Sequence, residues 1–214
     1  MHMAELPHIL YFNQTSVNNR IISLLKDPYR IYIGVTRRLI NLFAGRISDK
    51  TYIRLRWLIT FGRRINLENP VTFNEKLQWL KLNNHNPLYT RLVDKYEVKK
   101  YIASLIGDEH IIPTIGVYER AEDIDFDALP GQFVLKTTHD SGGIVICRDK
   151  SKLNKEEVVK KLNKFLQTDF YIYTREWPYK NVPRRIIAEQ YIAVPNIDLR
   201  DYKFLCFDGV PKIM

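Results

Sequence analysis

The run Phe133-Val134-Leu135-Lys136-Thr137-Thr138-His139-Asp140-Ser141-Gly142-Gly143-Ile144-Val145-Ile146-Cys147 decides the fold. Two apolar, β-branched or aromatic stretches flank a polar glycine turn, so the segment is expected to form strand, turn and strand. Gly142-Gly143 permits positive φ and lets backbone N–H groups approach a ligand closely. Lys136 closes a buried strand, and a buried ammonium needs an anionic partner. A phosphate chain would satisfy lysine and loop together; an ordinary hairpin whose lysine reaches solvent is the plainer alternative. No Gly-Lys-Ser/Thr opens a helix here, which excludes the P-loop. His139, Asp140 and Ser141 are chain neighbours, whereas a hydrolytic triad is assembled from groups that meet in space.

Working outward, the chain is expected to be α+β. Upstream, Thr72 and Glu75 match a capping box ahead of the apolar stripe Leu77, Trp79, Leu80 and Leu82. A short helix over 88–93 and another over 96–106, stopped by Gly107, follow. Residues 111–118 suit an edge strand because of Pro113. Residues 119–129 form an acidic link with helical character. Downstream, Asn154 and Glu157 cap a helix over 155–166. Residues 171–180 read as an aromatic, polar connection. Two strands, 185–194 and 201–207, precede the turn Asp208-Gly209.

The first 69 residues differ in character. Residues 1–64 hold eleven Lys/Arg against three Asp/Glu, so most of the net charge of +9 lies there. Helices are expected over about 16–26, interrupted by Pro28, over 29–43, and over 50–61. Their arginines read first as the solvated face of a helical subdomain. They also admit peripheral contact with an anionic membrane surface. No recognition helix, zinc finger or aromatic single-strand platform points to nucleic acid. Cys147 and Cys206 both fall in apolar runs and are expected to be buried free thiols. Neither the cysteines nor the five histidines have metal-ligand spacing. Without a signal peptide or a membrane-spanning run, a cytoplasmic location is expected, with the inner face of the membrane admitted through the basic region.

Taken in order, Asp94-Lys95, Phe133-Val134-Leu135-Lys136, Ser141-Gly142-Gly143, Ile186-Ile187-Ala188-Glu189-Gln190-Tyr191-Ile192 and Asp201-Tyr202-Lys203-Phe204 resemble the ATP-grasp superfamily. Four phrases resemble its TupA-like (teichuronopeptide-biosynthesis-type) family more closely. They are Phe73-Asn74-Glu75-Lys76-Leu77-Gln78-Trp79-Leu80-Lys81, Leu92-Val93-Asp94-Lys95-Tyr96-Glu97-Val98, His139-Asp140-Ser141-Gly142-Gly143 and Arg175-Glu176-Trp177-Pro178-Tyr179-Lys180-Asn181. The resemblance covers residues 70–214, after a basic helical region of residues 1–69.

The resemblance implies an adenine nucleotide held by Lys95, Lys136, His139 and the Ser141-Gly142-Gly143 loop. Glu189 would accept from the adenine amino group, and the backbone at Gln190, Tyr191 and Ile192 would read the ring edge. Before that resemblance, Glu189 reads as a strand-edge carboxylate paired with Arg184 or Arg185. Lys203 would be the catalytic cation at the reacting end. The implied activity is an ATP-dependent carboxylate–amine ligase working through an acylphosphate in cell-surface polysaccharide or polypeptide assembly, with an acidic sugar or peptide as acceptor. ATP and Mg2+ are the implied cofactors, the magnesium carboxylates being expected beyond Met214. Asp198, Asp201 and Asp208 remain, without forming a close pair on adjacent strands. The chain therefore reads as a C-terminally truncated ATP-grasp fold, inactive as it stands. The alternatives are a degenerate nucleotide-binding or scaffold module, or a glycosyltransferase-like protein; no Asp-x-Asp supports the last.

Overall fold

The computed structural model describes residues 28–192 and 202–213. The chain divides into two compact units. The helix expected over about 16–26 lies outside the described residues.

The first unit takes the chain up to Asn86 together with Tyr171–Trp177. Pro28 stands at the start of α1 (Pro28–Leu42), a position that suits a residue with fixed φ and no N–H to lose. A 3₁₀ turn at Ala44–Arg46 leads to α2 (Asp49–Phe61), capped by Ser48 and stopped by Gly62 at φ 65°. The Asn66 side chain accepts from the backbone of Glu68 and Asn69 and makes the following turn.

α3 (Phe73–Asn83) starts on the capping box the sequence announces. Thr72 Oγ1 accepts from the Glu75 N–H at 3.3 Å, and Glu75 Oε2 accepts from the Thr72 N–H at 3.1 Å. Chiefly that backbone N–H, with Thr72 hydroxyl and Arg63 behind it, holds the Glu75 carboxyl down at about 2. The cap is therefore complete above the ordinary carboxylate range and is lost as pH falls toward 2. Thr72→Ala is expected to cost about 1 kcal/mol. Amide exchange in the first turn of α3 should rise in that variant, and unchanged exchange would refute the cap's contribution.

The segment 171–177 belongs to this helical unit and is not a plain connection. The chain forms a one-turn helix, Phe170–Thr174, before Arg175 takes φ 56°. Arg175 is buried. Its guanidinium donates to the Ala44 carbonyl, pairs with Asp49 Oδ1 at 3.2 Å and stacks 4.5 Å over the Tyr52 ring. Lys81 Nζ donates to the Thr174 carbonyl at 2.9 Å. The Arg175 Nε is buried without a partner, but these contacts of the guanidinium pin the segment against the residues that supply them.

The second unit spans Pro87–Phe170 and 178–214. It begins with α4 (Pro87–Val93) and α5 (Glu97–Ile106), the latter halted at Gly107 with φ 99°. Four antiparallel strands follow: β1 (Thr114–Tyr118), β2 (Phe133–Thr137), β3 (Ile144–Cys147) and β4 (Ile186–Gln190), in the order β1-β4-β2-β3. β1 starts just past Pro113 and is an edge strand, as expected. The acidic link has one short 3₁₀ turn, Ala121–Asp123.

Alternation gives the sheet two unlike faces. Phe133, Leu135, Ile186 and Ala188 bury against Val158 and Leu162 of α6 (Lys155–Leu166), whose cap is Asn154. The opposite face carries Val134, Lys136, Ile187 and Glu189, with Ile144 and Ile146 exposed beside them. A separate hairpin, β5 (Leu205–Phe207) and β6 (Val210–Ile213), is exposed throughout. Cys147 is buried as expected, but Cys206 is exposed, because this hairpin has no layer packed on either face among the described residues.

Candidate nucleotide site on the open sheet face

On the sheet face opposite α6, where the centre is covered and Ile144 and Ile146 at the β3 edge are exposed, lies Glu189. Its side chain is only 4% exposed, and its two oxygens meet two ammonium groups. Lys136 Nζ lies 2.6 Å from Oε2. The pairing follows from register: Lys136 faces Ile187 across the ladder, so Glu189 is its diagonal neighbour on the same face. Lys99, from α5, contacts Oε1 and also donates to the Ile112 carbonyl (2.7 Å) and Thr114 Oγ1 (3.1 Å). Glu189 is thus a central-strand carboxylate, and the expected pairing with Arg184 or Arg185 does not occur. Arg184 pairs with Asp169 at 3.2 Å, and Arg185 with Asp94 at 2.7 Å.

The glycine loop is organised by Asp140. Its Oδ1 accepts from Thr137 Oγ1 at 2.6 Å and from the Gly143 and Gly142 N–H groups at 3.2 and 3.4 Å. Its Oδ2 is buried without a partner. Lys95 Nζ donates to the Thr137 carbonyl at 2.7 Å and to the Asp140 carbonyl, and lies 3.6 Å from Oδ1. Burial above all lowers the Lys95 pKa, against the pull of Asp140. Gly142 and Gly143 do not take positive φ; among the described residues Gly62, Gly107 and Gly209 do. What requires a glycine at 143 is space: a Cβ there would lie 1.8 Å from Thr137 Oγ1.

His139 is buried, with Nε2 3.2 Å from the Thr168 carbonyl, and burial pushes its pKa below the usual imidazole range. A neutral ring donating from Nε2 follows. Ser141 is exposed, so histidine and serine form no triad. Gln190 and Tyr191 line an open cavity of about 570 Å3 with Pro113, Ile115 and Gly131. The Gln190 N–H donates to the Pro113 carbonyl at 3.1 Å, the Tyr191 hydroxyl accepts from Arg148 at 3.2 Å, and Ile192 is exposed. Lys203 is exposed just before β5.

Three ammonium groups, from Lys95, Lys99 and Lys136, therefore serve two carboxylates, Asp140 and Glu189, on one unit. Lys99 and Asp140 escape sequence reasoning. Lys99 lies in Glu97-Val98-Lys99-Lys100, which carries the signal of a solvated helix face, and only the tertiary contact places it. The surplus cation suits phosphate oxygens. A carboxylate with two of its four acceptor positions used can still accept from an amino group. The residues present thus fit an adenine nucleotide. Among the described residues no group of three or more His, Cys, Asp and Glu gathers as a metal centre. Asp198 and Asp201 lie outside them, and Asp208 sits in the β5–β6 turn at φ 52°.

The sheet unit is α+β, with a glycine loop between two strands and Lys95, Lys99 and Lys136 gathered about Asp140 and Glu189, and the family match makes it an ATP-grasp-type protein. Residues 75–214 match the family described as TupA-like ATPgrasp, and the chain belongs to that family. Neither a curated protein nor a solved structure matches the chain. Among the described residues no helix is long and apolar enough to cross a membrane.

Proposed function

We propose that the chain binds ATP on the open face of the four-stranded sheet and serves as the nucleotide-binding part of a carboxylate–amine ligase. One observation carries the reading: Glu189 is a nearly inaccessible carboxylate held between Lys99 and Lys136, with Ile187 buried beside it and Ile144 and Ile146 exposed on the same face. Apolar side chains suit the faces of a purine, Glu189 its amino group, and Lys136 and Lys95 the phosphates. Bound ATP would supply the phosphoryl group that activates a carboxylate, and family members generally use Mg2+ with it. The chain's own part is to position the phosphates and neutralise their charge. Lys136 exchanges Glu189 for phosphate oxygens, leaving Lys99 to hold the carboxylate. Lys203 serves the reacting end, and an acidic sugar or peptide is the acceptor.

Calorimetry on the full chain tests this. ATP is expected to bind at least tenfold more tightly than GTP, because the guanine carbonyl would face the Glu189 oxygens. Lys136→Ala should weaken ATP by about 1.5–3 kcal/mol, and Lys203→Ala by less. Equal or tighter GTP binding would sink the Glu189 assignment, and a larger loss at Lys203 would reverse the lysine roles.

A further inference from the structure

In the helical unit, α1 meets α2 with one side only. Arg37 Nη2 donates to Thr60 Oγ1 at 2.9 Å, and Asn41 Oδ1 accepts from the Tyr52 hydroxyl at 2.8 Å. The row Ile33, Arg37, Ile40 and Asn41 therefore lies toward α2. Ile31, Val35, Leu39 and Leu42, spaced by three and four residues, form the opposite row, and Tyr32 and Phe43 widen it. Each of these six side chains is 38–75% exposed. The Thr36 hydroxyl at the strip's border donates back to the Tyr32 carbonyl at 2.5 Å, so its hydrogen bond is made within the helix. A continuous apolar strip of this kind marks an interaction surface.

Charge selects what covers it. α1 contains three arginines and neither Asp nor Glu. Residues 28–69 hold nine Lys/Arg against two Asp/Glu, and one of those two, Asp49, is already paired with Arg175. The exposed Arg38 borders the strip, one helical turn from both Val35 and Leu42. There its stem can lie on apolar surface while the guanidinium reaches past the edge. A second copy of the chain would bring two surfaces of the same sign together. A protein partner would ask for side-chain hydrogen bonds, and Tyr32 carries the strip's only polar side-chain atom. We propose that this face of α1 lies in the headgroup layer of an anionic bilayer, with the aliphatic row against the acyl chains and Arg38 on lipid phosphates. The proposal rests on the helical unit alone and not on nucleotide binding at the sheet.

The test mixes the full chain with vesicles of phosphatidylcholine, alone or with about one third phosphatidylglycerol, and reads binding by co-sedimentation. Binding to the anionic vesicles is expected to be at least about tenfold tighter, with amide exchange slowed over residues 28–43. Val35→Gln combined with Leu39→Gln should weaken it at least about tenfold and leave thermal unfolding unchanged, since both side chains are half exposed. Arg38→Gln should weaken it about fivefold. No binding to anionic vesicles, or slowed exchange only outside residues 28–43, would overturn the proposal. Undiminished binding by the folded double variant would leave bulk charge as the cause and remove the helix face from it. A lower unfolding temperature in that variant would show that another part of the chain covers the strip. A lipid-free dimer abolished by the same substitutions would give the face to a second copy. Either result would overturn the bilayer assignment.

Discussion

Replacing Glu189 with alanine is expected to cost the sheet unit about 3 kcal/mol. The glutamate is the shared counter-ion of Lys136 and Lys99, whose side chains are 26% and 14% exposed. Without it, two mostly buried ammonium groups face each other with no carboxylate between them. Both retain some access to water, which keeps the loss at the low end of the range for breaking a buried pair. β4 pairs with both β1 and β2, so loosening at Glu189 spreads through the sheet. Tryptophan fluorescence would miss the change, because Trp57, Trp79 and Trp177 all belong to the helical unit. Amide exchange of the β2 and β4 strands reads it directly. Lys99→Met and Lys136→Met added to Glu189→Ala should recover most of the stability, since the uncompensated charge goes with them. A loss below about 1 kcal/mol in the single variant would show that the ammonium groups find water instead.

That counter-ion shows where the sequence was readable and where it was not. Local rules placed the helices well: Thr72, Asn154 and Gly107 act where capping chemistry puts them, because a cap is decided within four residues of chain. The two strands around the glycine loop were legible for the same reason. Lys136 was correctly marked as needing an anion, but its partner came from β4, more than fifty residues on. Lys99 reached the same carboxylate from a helix whose local pattern says solvent. The segment 171–177 was read as a connection because nothing in its composition says that Arg175 will be buried among Ala44, Asp49 and Tyr52. Cys206 lies in water because nothing among the described residues packs on the β5–β6 hairpin, which its apolar composition does not reveal. In each case the missing information was a long-range contact, to which propensity and periodicity are blind.

Gly143→Ala is the second large effect expected, again about 3 kcal/mol, with Gly142→Ala as its internal control. The two glycines are neighbours, neither at positive φ, so backbone conformation does not separate them. Their surroundings do. At 143 the new methyl would lie 1.8 Å from Thr137 Oγ1 and 2.9 Å from both Thr137 Cβ and Asp140 Oδ2. The residue cannot step aside, because its carbonyl accepts the Thr137 N–H at 2.8 Å and its N–H points at Asp140 Oδ1. Relief must come from breaking the Thr137–Asp140 hydrogen bond or from opening the start of the hairpin. Either uncouples the loop from Lys95, which holds the Thr137 and Asp140 carbonyls. At 142 the methyl meets only the Phe165 ring edge at 3.2 Å, which a small ring shift accommodates, so the cost should stay under about 1 kcal/mol. Thermal unfolding of both variants, followed by circular dichroism, checks the contrast. Adding Thr137→Ala to Gly143→Ala should return part of the loss, since it removes the nearest atom, while Thr137 Cβ still crowds the site. Equal melting temperatures for the two glycine variants would mean that the loop is not packed as described, and with it would go the argument that Asp140 and Lys95 fix its shape.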